Sequence, residues 1–418
     1  MKQIRIQGGN KLTGSIKISG AKNSAVALIP ASLLSDEVVA IDNVPNISDV
    51  KVLSDTIKYL GGSVKKNDQL LEISLEKLVN KPISEEFSSK LRASYYFMGA
   101  LLGKYKKVDI FFPGGCSIGA RPINLHLKGF EALGAKITEE GNRYLIEAEE
   151  LKGSHIYLDV ASVGATINIM LAAVKATGET VIENAAKEPE IVNVATFLNN
   201  MGAKIKGAGT SEIRITGVNY LGSCFSEVIP DRIEAGTYVI AGALMGDNLR
   251  IENIIPEHIE SLLFKLKEMH CDLKIYDDYV LISNCKNINA VDAKTLVYPG
   301  FPTDLQQPLT TLLTYCNGDS TLEETIYENR FKNVEQLNNM GANIEKVEER
   351  KILVHGPTKL KGEEVVATDL RAGACLVLAG LVAEGETVIK NVEHVLRGYE
   401  NIIEKLTNVG AKMTLEEI

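Results

Sequence analysis

The sequence predicts an α/β fold of two domains built inside-out, with apolar helices enclosed and sheets facing water. Three observations carry this: a short pattern recurs six times along the 418 residues, an apolar helical segment recurs with it, and the stretches between them read as helix-to-strand turns. The recurring pattern is an apolar residue, usually Gly, a small or polar pair, then an apolar residue. It reads LGGSV from 60, LGAKI from 133, MGAKI from 201, MHCDL from 269, MGANI from 340 and VGAKM from 409. The spacings of 73, 68, 68, 71 and 69 account for the whole chain, so six units of one design are expected.

Each copy follows an amphipathic segment and precedes an alternating run. Its glycine therefore fits the left-handed position just past a helix C-terminus, where the chain turns into a strand. A second recurrent piece lies upstream of most copies and reads as helix, turn and strand, the strand often ending in Asn: ATGETVIENA from 176, LMGDNLRIEN from 244, CNGDSTLEET from 316 and AEGETVIKNV from 383. The helices before these turns are AVALIPASLL from 25, ASYYFMGALL from 93, ATINIMLAAV from 165, TYVIAGALMG from 237, LTTLLTY from 309 and ACLVLAGLVA from 374. They are apolar on nearly every face and too short to span a membrane, which implies burial inside protein. A TIM barrel, whose strands form the apolar centre, is excluded, and a β-propeller has no place for the helices.

An apolar content of 45% over this length fills two or three domains. The longest apolar run, Ala372 to Ala383, falls short of the roughly 18 residues that a spanning helix needs. The opening MKQIRIQGG lacks an apolar stretch and a cleavage pattern, so no secretory signal is expected and the protein reads as cytoplasmic. A formal charge of -9 with scattered basic residues argues against nucleic-acid binding, so an anionic ligand must be met by a local cluster of cations. Cysteines 116, 224, 271, 285, 316 and 375 lack CxxC spacing and the histidines form no HExxH, so no metal is expected. There is no GxxxxGK[ST], and GAGT at 207–210 is only a fragment of a dinucleotide fingerprint. Cys375, inside an apolar helix, reads as the clearest structural thiol.

A buried helix presents unpaired N–H groups and partial positive charge at its N-terminus, which suits anions. The residues at those starts are Lys22-Asn23, Arg92, Ser162-Val163-Gly164, Asp231 to Glu234, Asp304 and Asp369 to Arg371. Ser162, Asp231, Asp304 and Asp369 can each be read simply as helix caps. Capping does not explain Lys22, Arg92 and Arg371, because a cation there opposes the helix dipole; its recurrence points to a shared anionic ligand. Loops after the short strands add Cys116 with Arg121, Glu188 with Glu190, Arg330 and Arg397. A lone loop arginine is usually a solvated residue, but several together can clamp phosphate and carboxylate groups bidentately.

Cys116 poses the same choice. A free cysteine is usually a small buried hydrophobe. In FFPGGCSIGARPINLH, residues 111 to 126, it sits in a polar, glycine-rich loop, a poor place to hide an apolar thiol.

At this point the chain resembles the UDP-N-acetylglucosamine enolpyruvyl transferase family of the EPSP synthase superfamily. The resemblance rests on SGAKNSA from 19, LRAS from 91, PGGCSIGARP from 113, SVGAT from 162, IENAAKEPEI from 182, PDRIEAGT from 230, FPTD from 301, ENRF from 328, ATDLRA from 367 and RGYE from 397, all in family order. It implies the two-domain inside-out α/β barrel of that family, with three βαβαββ-type units per domain. The domains are expected at 20–229 and at 1–19 with 230–418, the chain crossing twice and the active site lying in the cleft between them.

The resemblance further implies transfer of enolpyruvate from phosphoenolpyruvate to the 3'-hydroxyl of UDP-N-acetylglucosamine, releasing phosphate through a tetrahedral ketal, with no cofactor. Cys116 is implied as the acid that protonates C3, able also to hold a covalent adduct with phosphoenolpyruvate; a thiol with the ordinary value near 8.5 is protonated enough for this. Asp304 is implied as acceptor of the hydroxyl proton, Asp369 as orienting the cluster or sharing in proton transfer. Lys22, Asn23, Arg121, Arg371 and Arg397 are implied for phosphoenolpyruvate. Asn23, Arg92, Arg121, Pro122, Ile123, Asn124, Leu125, Ser162, Val163, Gly164, Asp304, Ile326 and Arg330 are implied for the nucleotide sugar. The loop around Cys116 is implied as a lid, compatible with its glycines, and fosfomycin as a covalent inhibitor at Cys116. One departure is Val160, where the family often has lysine. The sibling acting on shikimate 3-phosphate is disfavoured, since the Pro-Ser-Lys-Ser and Gly-Asn-Ala-Gly-Thr stretches expected of it are absent. A non-catalytic paralogue predicts losses among Lys22, Cys116, Asp304 and Arg397, and all four are present.

Overall fold

The computed structural model describes residues 2–114, 123–285 and 287–417; Cys116, Arg121 and Pro122, and with them the expectation of a lid around Cys116, lie outside these. All six repeated marks end a helix. The helices are Ser48–Tyr59, Asn124–Ala132, Pro189–Asn200, Glu260–Glu268, Asn333–Asn339 and Ile402–Asn408. Just beyond them Gly61, Gly134, Gly202, Gly341 and Gly410 take φ of 94, 94, 106, 97 and 111°. The fourth mark has His270 in place of glycine, and it still adopts φ 65°, so the turn is imposed by the repeat rather than permitted by the residue. Asn43, Asn184, Asn253 and Asn391, past their strands, are also left-handed, which explains the recurrent Asn.

Six further helices are the apolar ones: α1 (Lys22–Ala31), α2 (Tyr96–Tyr105), α3 (Val163–Ala173), α4 (Arg232–Met245), α5 (Thr303–Leu313) and α6 (Leu370–Val382). Ala165 to Ala173 of α3 and Arg371 to Leu381 of α6 are buried without interruption, as all-round apolar sequence requires. Where α2 meets α3 the backbones touch: a Cβ on Gly99 would lie 2.4 Å from the Asn168 carbonyl oxygen. Arg92 does not begin α2 itself. It opens a 3-10 turn, Arg92–Tyr95, through which the chain enters the helix.

The described residues divide into two compact units, Gly20 to Ile229, and the segment through Ser19 with Pro230 onward. The first holds α1 to α3 and the second α4 to α6, each with its own apolar core. Among the described residues each unit has three sheets. Those of the second unit are typical: strands Ala293–Lys294, Gly318–Glu323, Lys351–Gly356 and Asn343–Glu348 lie side by side in that order. The first pair is parallel and flanks α5, and the rest are antiparallel, which is the βαβαββ unit. Alternate side chains point inward, as in Leu322, Ile352 and Val354, and leave the other face to water.

Two rearrangements were not legible in the repeat. Lys2–Gln7 lies between Glu386–Lys390 and Lys412–Glu417, so the N-terminus completes the sixth unit. The short parallel strands at the crossings are exchanged: Ser15–Lys17, which precedes α1, pairs with Leu249–Glu252 after α4, and Cys224–Glu227, which precedes α4, pairs with Val39–Asp42 after α1. Each strand stays in the unit the chain is leaving. The second repeat has only an isolated bridge, Ile83 to Ile110, where the others have a parallel strand, and its sheet has three strands. No helix among the described residues is long and apolar enough to cross a membrane.

Candidate active site

The starts of the buried helices separate caps from everything else. Ser162 Oγ accepts from the Ala165 N–H at 3.3 Å, Asp231 Oδ1 from Ile233 and Glu234 at 2.8 and 2.9 Å, and Asp369 Oδ1 from Arg371 and Ala372 at 2.9 and 3.0 Å. The cap reading is right for these three. It fails for Asp304, which sits in the first turn of α5 behind Pro302; that helix has no side-chain cap.

Asp304 turns instead to two arginines. Arg330 Nη2 lies 2.5 Å from Oδ1 and Arg371 Nη2 lies 2.8 Å from Oδ2. The guanidinium side chains are 3% and 6% accessible, the carboxylate 26%. Burial pushes the Asp304 carboxyl up, but Arg371 and then Arg330 outweigh it and hold the group below the usual carboxylate range. Burial likewise works against charge on Arg371, and Asp304 overcomes it and strengthens the cation. The second oxygen of Asp369, Oδ2, is buried and finds no partner among the described residues. An unmet buried carboxylate oxygen costs about 1–3 kcal/mol.

Glu324 organises the loop beside α5. It is fully buried, and its carboxylate accepts from Thr295 Oγ1 at 2.9 Å, Thr303 Oγ1 at 2.8 Å, Ile326 N at 2.7 Å and Tyr327 N at 3.1 Å. Ile326 and the residue before Asp304 are thus tied to one group. Arg330 is fixed by its own backbone, whose carbonyl accepts from Gln307 Nε2 of α5 at 2.6 Å. Glu324→Ala leaves four donors without their acceptor and is expected to destabilise the protein by about 3 kcal/mol. A thermal melt checks this, and an unchanged melting temperature would mean that the bonds do not matter in solution.

The first unit holds a second group. Lys22, the first residue of α1, has Nζ 3.0 Å from Asp49 Oδ2; Asp49 is 2% accessible, and Asn23 is half-buried beside it. The 3-10 turn at Arg92 packs on α1. At the start of α3 a Cβ on Gly164 would meet His126 Cε1 and the Tyr95 hydroxyl, each at 2.9 Å, so glycine is required for this approach. Asn168 Oδ1 accepts from Gly99 N, and its Nδ2 donates to Tyr95 O at 3.0 Å and reaches His126 Nδ1 at 2.8 Å. An amide nitrogen only donates, so Nδ1 accepts and the His126 proton sits on Nε2, toward Gly164. Burial, then Arg92, pushes His126 down to about 3, and it is neutral at physiological pH.

The structure therefore brings Asp304, Arg330 and Arg371 together in one unit, with Asp369 capping the helix that carries Arg371, and in the other it sets Arg92 and Gly164 each close to His126. Ile123 precedes the helix that carries Asn124 and Leu125, and Asn124 is exposed there. Arg397 is half-buried at the end of the helix Glu393–Leu396, two residues before Tyr399. Val160 is 61% exposed. Sequence reading missed Glu324, Asp49, His126 and Asn168. Polar residues within apolar runs were the available signal, as for Asn168 in ATINIML. Cys375 is fully buried with Sγ 3.2 Å from Thr311 Oγ1, and burial pushes its thiol up to about 11, consistent with a structural role. No cluster of metal-ligating side chains occurs among the described residues.

A family model described as EPSP synthase (3-phosphoshikimate 1-carboxyvinyltransferase) matches residues 6–406, so the chain belongs to this family of enolpyruvyl transferases. A Listeria monocytogenes relative named UDP-N-acetylglucosamine 1-carboxyvinyltransferase 2 is 56% identical, over 99% of this chain and 97% of its own. Relatives of the same name from Geobacillus kaustophilus, 56% identical, and Bacillus subtilis, 54% identical, each match 100% of this chain and 99% of theirs. Within the family the chain groups with these proteins rather than with the shikimate-type enzymes. The fold is shared with the enolpyruvyl transferase NikO from Streptomyces tendae, at a TM-score of 0.89 and 24% identity, covering 99% of this chain and 98% of that one. EPSP synthase from Acinetobacter baumannii gives 0.78 at 18% identity, covering both chains fully.

Proposed function

We infer that this chain transfers enolpyruvate from phosphoenolpyruvate to the 3'-hydroxyl of UDP-N-acetylglucosamine, the first committed step of bacterial peptidoglycan synthesis, and that the residues grouped above divide the work. The observation that carries the assignment of roles is Asp304, which leaves its helix uncapped to hold two buried arginines. Residues 20–229 and 1–19 with 230–418 act as its two domains, in the cytoplasm.

In the addition step the 3'-oxygen bonds to C2 of phosphoenolpyruvate, its proton passes to Asp304, and C3 takes a proton from Cys116. In the elimination step C3 gives up a proton, the C2–O bond to phosphate breaks and the enol ether forms. Lys22, Arg371, Arg397 and Arg121, with Asn23, meet the phosphate and carboxylate, preorganised for the charge of the ketal. Asp49 supports this role of Lys22: the buried carboxylate fixes where the ammonium stands at the start of α1. Arg92, Arg121 to Leu125, Ser162 to Gly164, Ile326 and Arg330 hold the nucleotide sugar, with Val160 contributing no charge.

Asp304 as found is a weak base, because two guanidinium groups hold it ionised. Anionic ligand atoms drawn to Arg371 relieve that pull, so the carboxylate gains basicity as the hydroxyl arrives. Asp369, with its unmet oxygen at the start of α6, orients Arg371 or shares in proton transfer. Fosfomycin is a covalent inhibitor at Cys116. The test is phosphate release: it should require UDP-N-acetylglucosamine, and turnover with shikimate 3-phosphate in its place would overturn the reading.

A further inference from the structure

We propose that Tyr399 and Thr237 are positioning residues for Arg371, forming a one-way hydrogen-bond relay that fixes how its guanidinium is presented. The inference rests on the reading of Arg371 as an anion-binding residue. Arg371 Nη2 is held by Asp304 at 2.8 Å, and Nη1 lies 3.2 Å from the Tyr399 hydroxyl. Tyr399 belongs to RGYE and is 1% exposed, and its hydroxyl is 2.9 Å from Thr237 Oγ1 of α4, itself 2% exposed.

The direction of each proton follows by elimination. A guanidinium only donates, so the Tyr399 oxygen accepts from Arg371. The Thr237 hydroxyl has one proton and gives it to the Ile233 carbonyl, one turn back in α4, at 2.8 Å. Tyr399 must therefore donate to Thr237. The relay runs from Arg371 to Tyr399 to Thr237 to the Ile233 carbonyl, and both hydroxyls use their proton and a lone pair.

This arrangement does what the ion pair alone cannot. Asp304 grips one terminal nitrogen and leaves the guanidinium free to swing about that contact. A second grip on the other terminal nitrogen, from a buried group on a different element, fixes the plane. The Tyr399 ring, 5.5 Å from the guanidinium carbon, adds a wall. Burial holds the phenol above its ordinary value, which keeps it protonated and preserves the direction of the relay. Thr237 and Tyr399 act only through Arg371; neither is assigned a contact with substrate.

Steady-state kinetics of the full-length enzyme tests the relay. Tyr399→Phe keeps the ring and removes the acceptor, and kcat/KM for phosphoenolpyruvate is expected to fall about tenfold, with KM for UDP-N-acetylglucosamine changed by less than about twofold. Thr237→Val should give a similar loss and Thr237→Ser should recover it. The double variant Tyr399→Phe with Thr237→Val should lose no more than the worse single, because the two act in series. Arg371→Lys is the reference. If it loses at least about tenfold while Tyr399→Phe stays within about twofold of the parent, the relay is overturned and the reading of Arg371 stands. Additive losses in the double variant also overturn it. If Arg371→Lys itself is unimpaired, the anion-binding reading fails and the relay falls with it.

Discussion

Asp304→Asn is expected to lower kcat by about 10²–10⁴, the range a positioned general base supplies, while phosphoenolpyruvate binding is retained. The second half follows from geometry. Arg330 and Arg371 are buried and Asp304 is their shared counter-ion. The amide keeps one acceptor but sets an NH2 against the other guanidinium, so the cations become more available to an anionic ligand. The same variant should be less stable than the parent at neutral pH. The sign is fixed by the direction of the shift: the folded carboxyl lies below its unfolded value, so the stabilisation is present above roughly pH 4 and is lost as pH falls through the folded value. The stability gap between variant and parent should therefore narrow in acid. Turnover with saturating ligands, ligand titration and melts at two pH values check all three; a kcat within about tenfold of the parent removes Asp304 as the proton acceptor.

How much of this was legible in the sequence differs between fold and site. The helix stops were readable because a left-handed residue past a helix end is a local demand met by a local choice, glycine in five of six marks. The enclosed helices were readable because burial on all faces leaves no polar face in the sequence. The strand exchange at the crossings was not readable, because Ser15–Lys17 and Cys224–Glu227 carry the same alternation wherever they pair. At the site, position identified Asp304, Arg371 and Arg330, but not what held them. Glu324 looked like one more acid in CNGDSTLEET, and its role depends on Thr295, 29 residues away and brought to it by a parallel strand pairing, and on Thr303, 21 residues away at the start of α5. Arg92 was misplaced by a turn because RASYY carries no cap to separate the 3-10 entry from α2.

The largest effect expected of any single substitution is at Cys116. Cys116→Ser should abolish labelling by fosfomycin, because opening the epoxide requires a sulfur nucleophile and a serine hydroxyl without an adjacent base is essentially unreactive. Intact mass decides the matter, with one adduct fewer on the variant than on the parent. The five other cysteines supply the internal control. Cys316 and Cys375 are fully buried and burial pushes their thiols up to about 12 and about 11; Cys224 is pushed up to about 11 as well, and Cys271 is raised by its contact with Cys285 and by burial. Thiols so shifted carry little thiolate at neutral pH. Cys285, half-buried and shifted the other way by the Cys271 thiol, is the one competitor that could take up reagent. Peptide mapping therefore separates two outcomes: an adduct on Cys285 in both proteins leaves the prediction for Cys116 intact, whereas an undiminished total label in Cys116→Ser removes the thiol from the chemistry. Turnover should fall with the label, since a serine hydroxyl is too weak an acid to protonate C3.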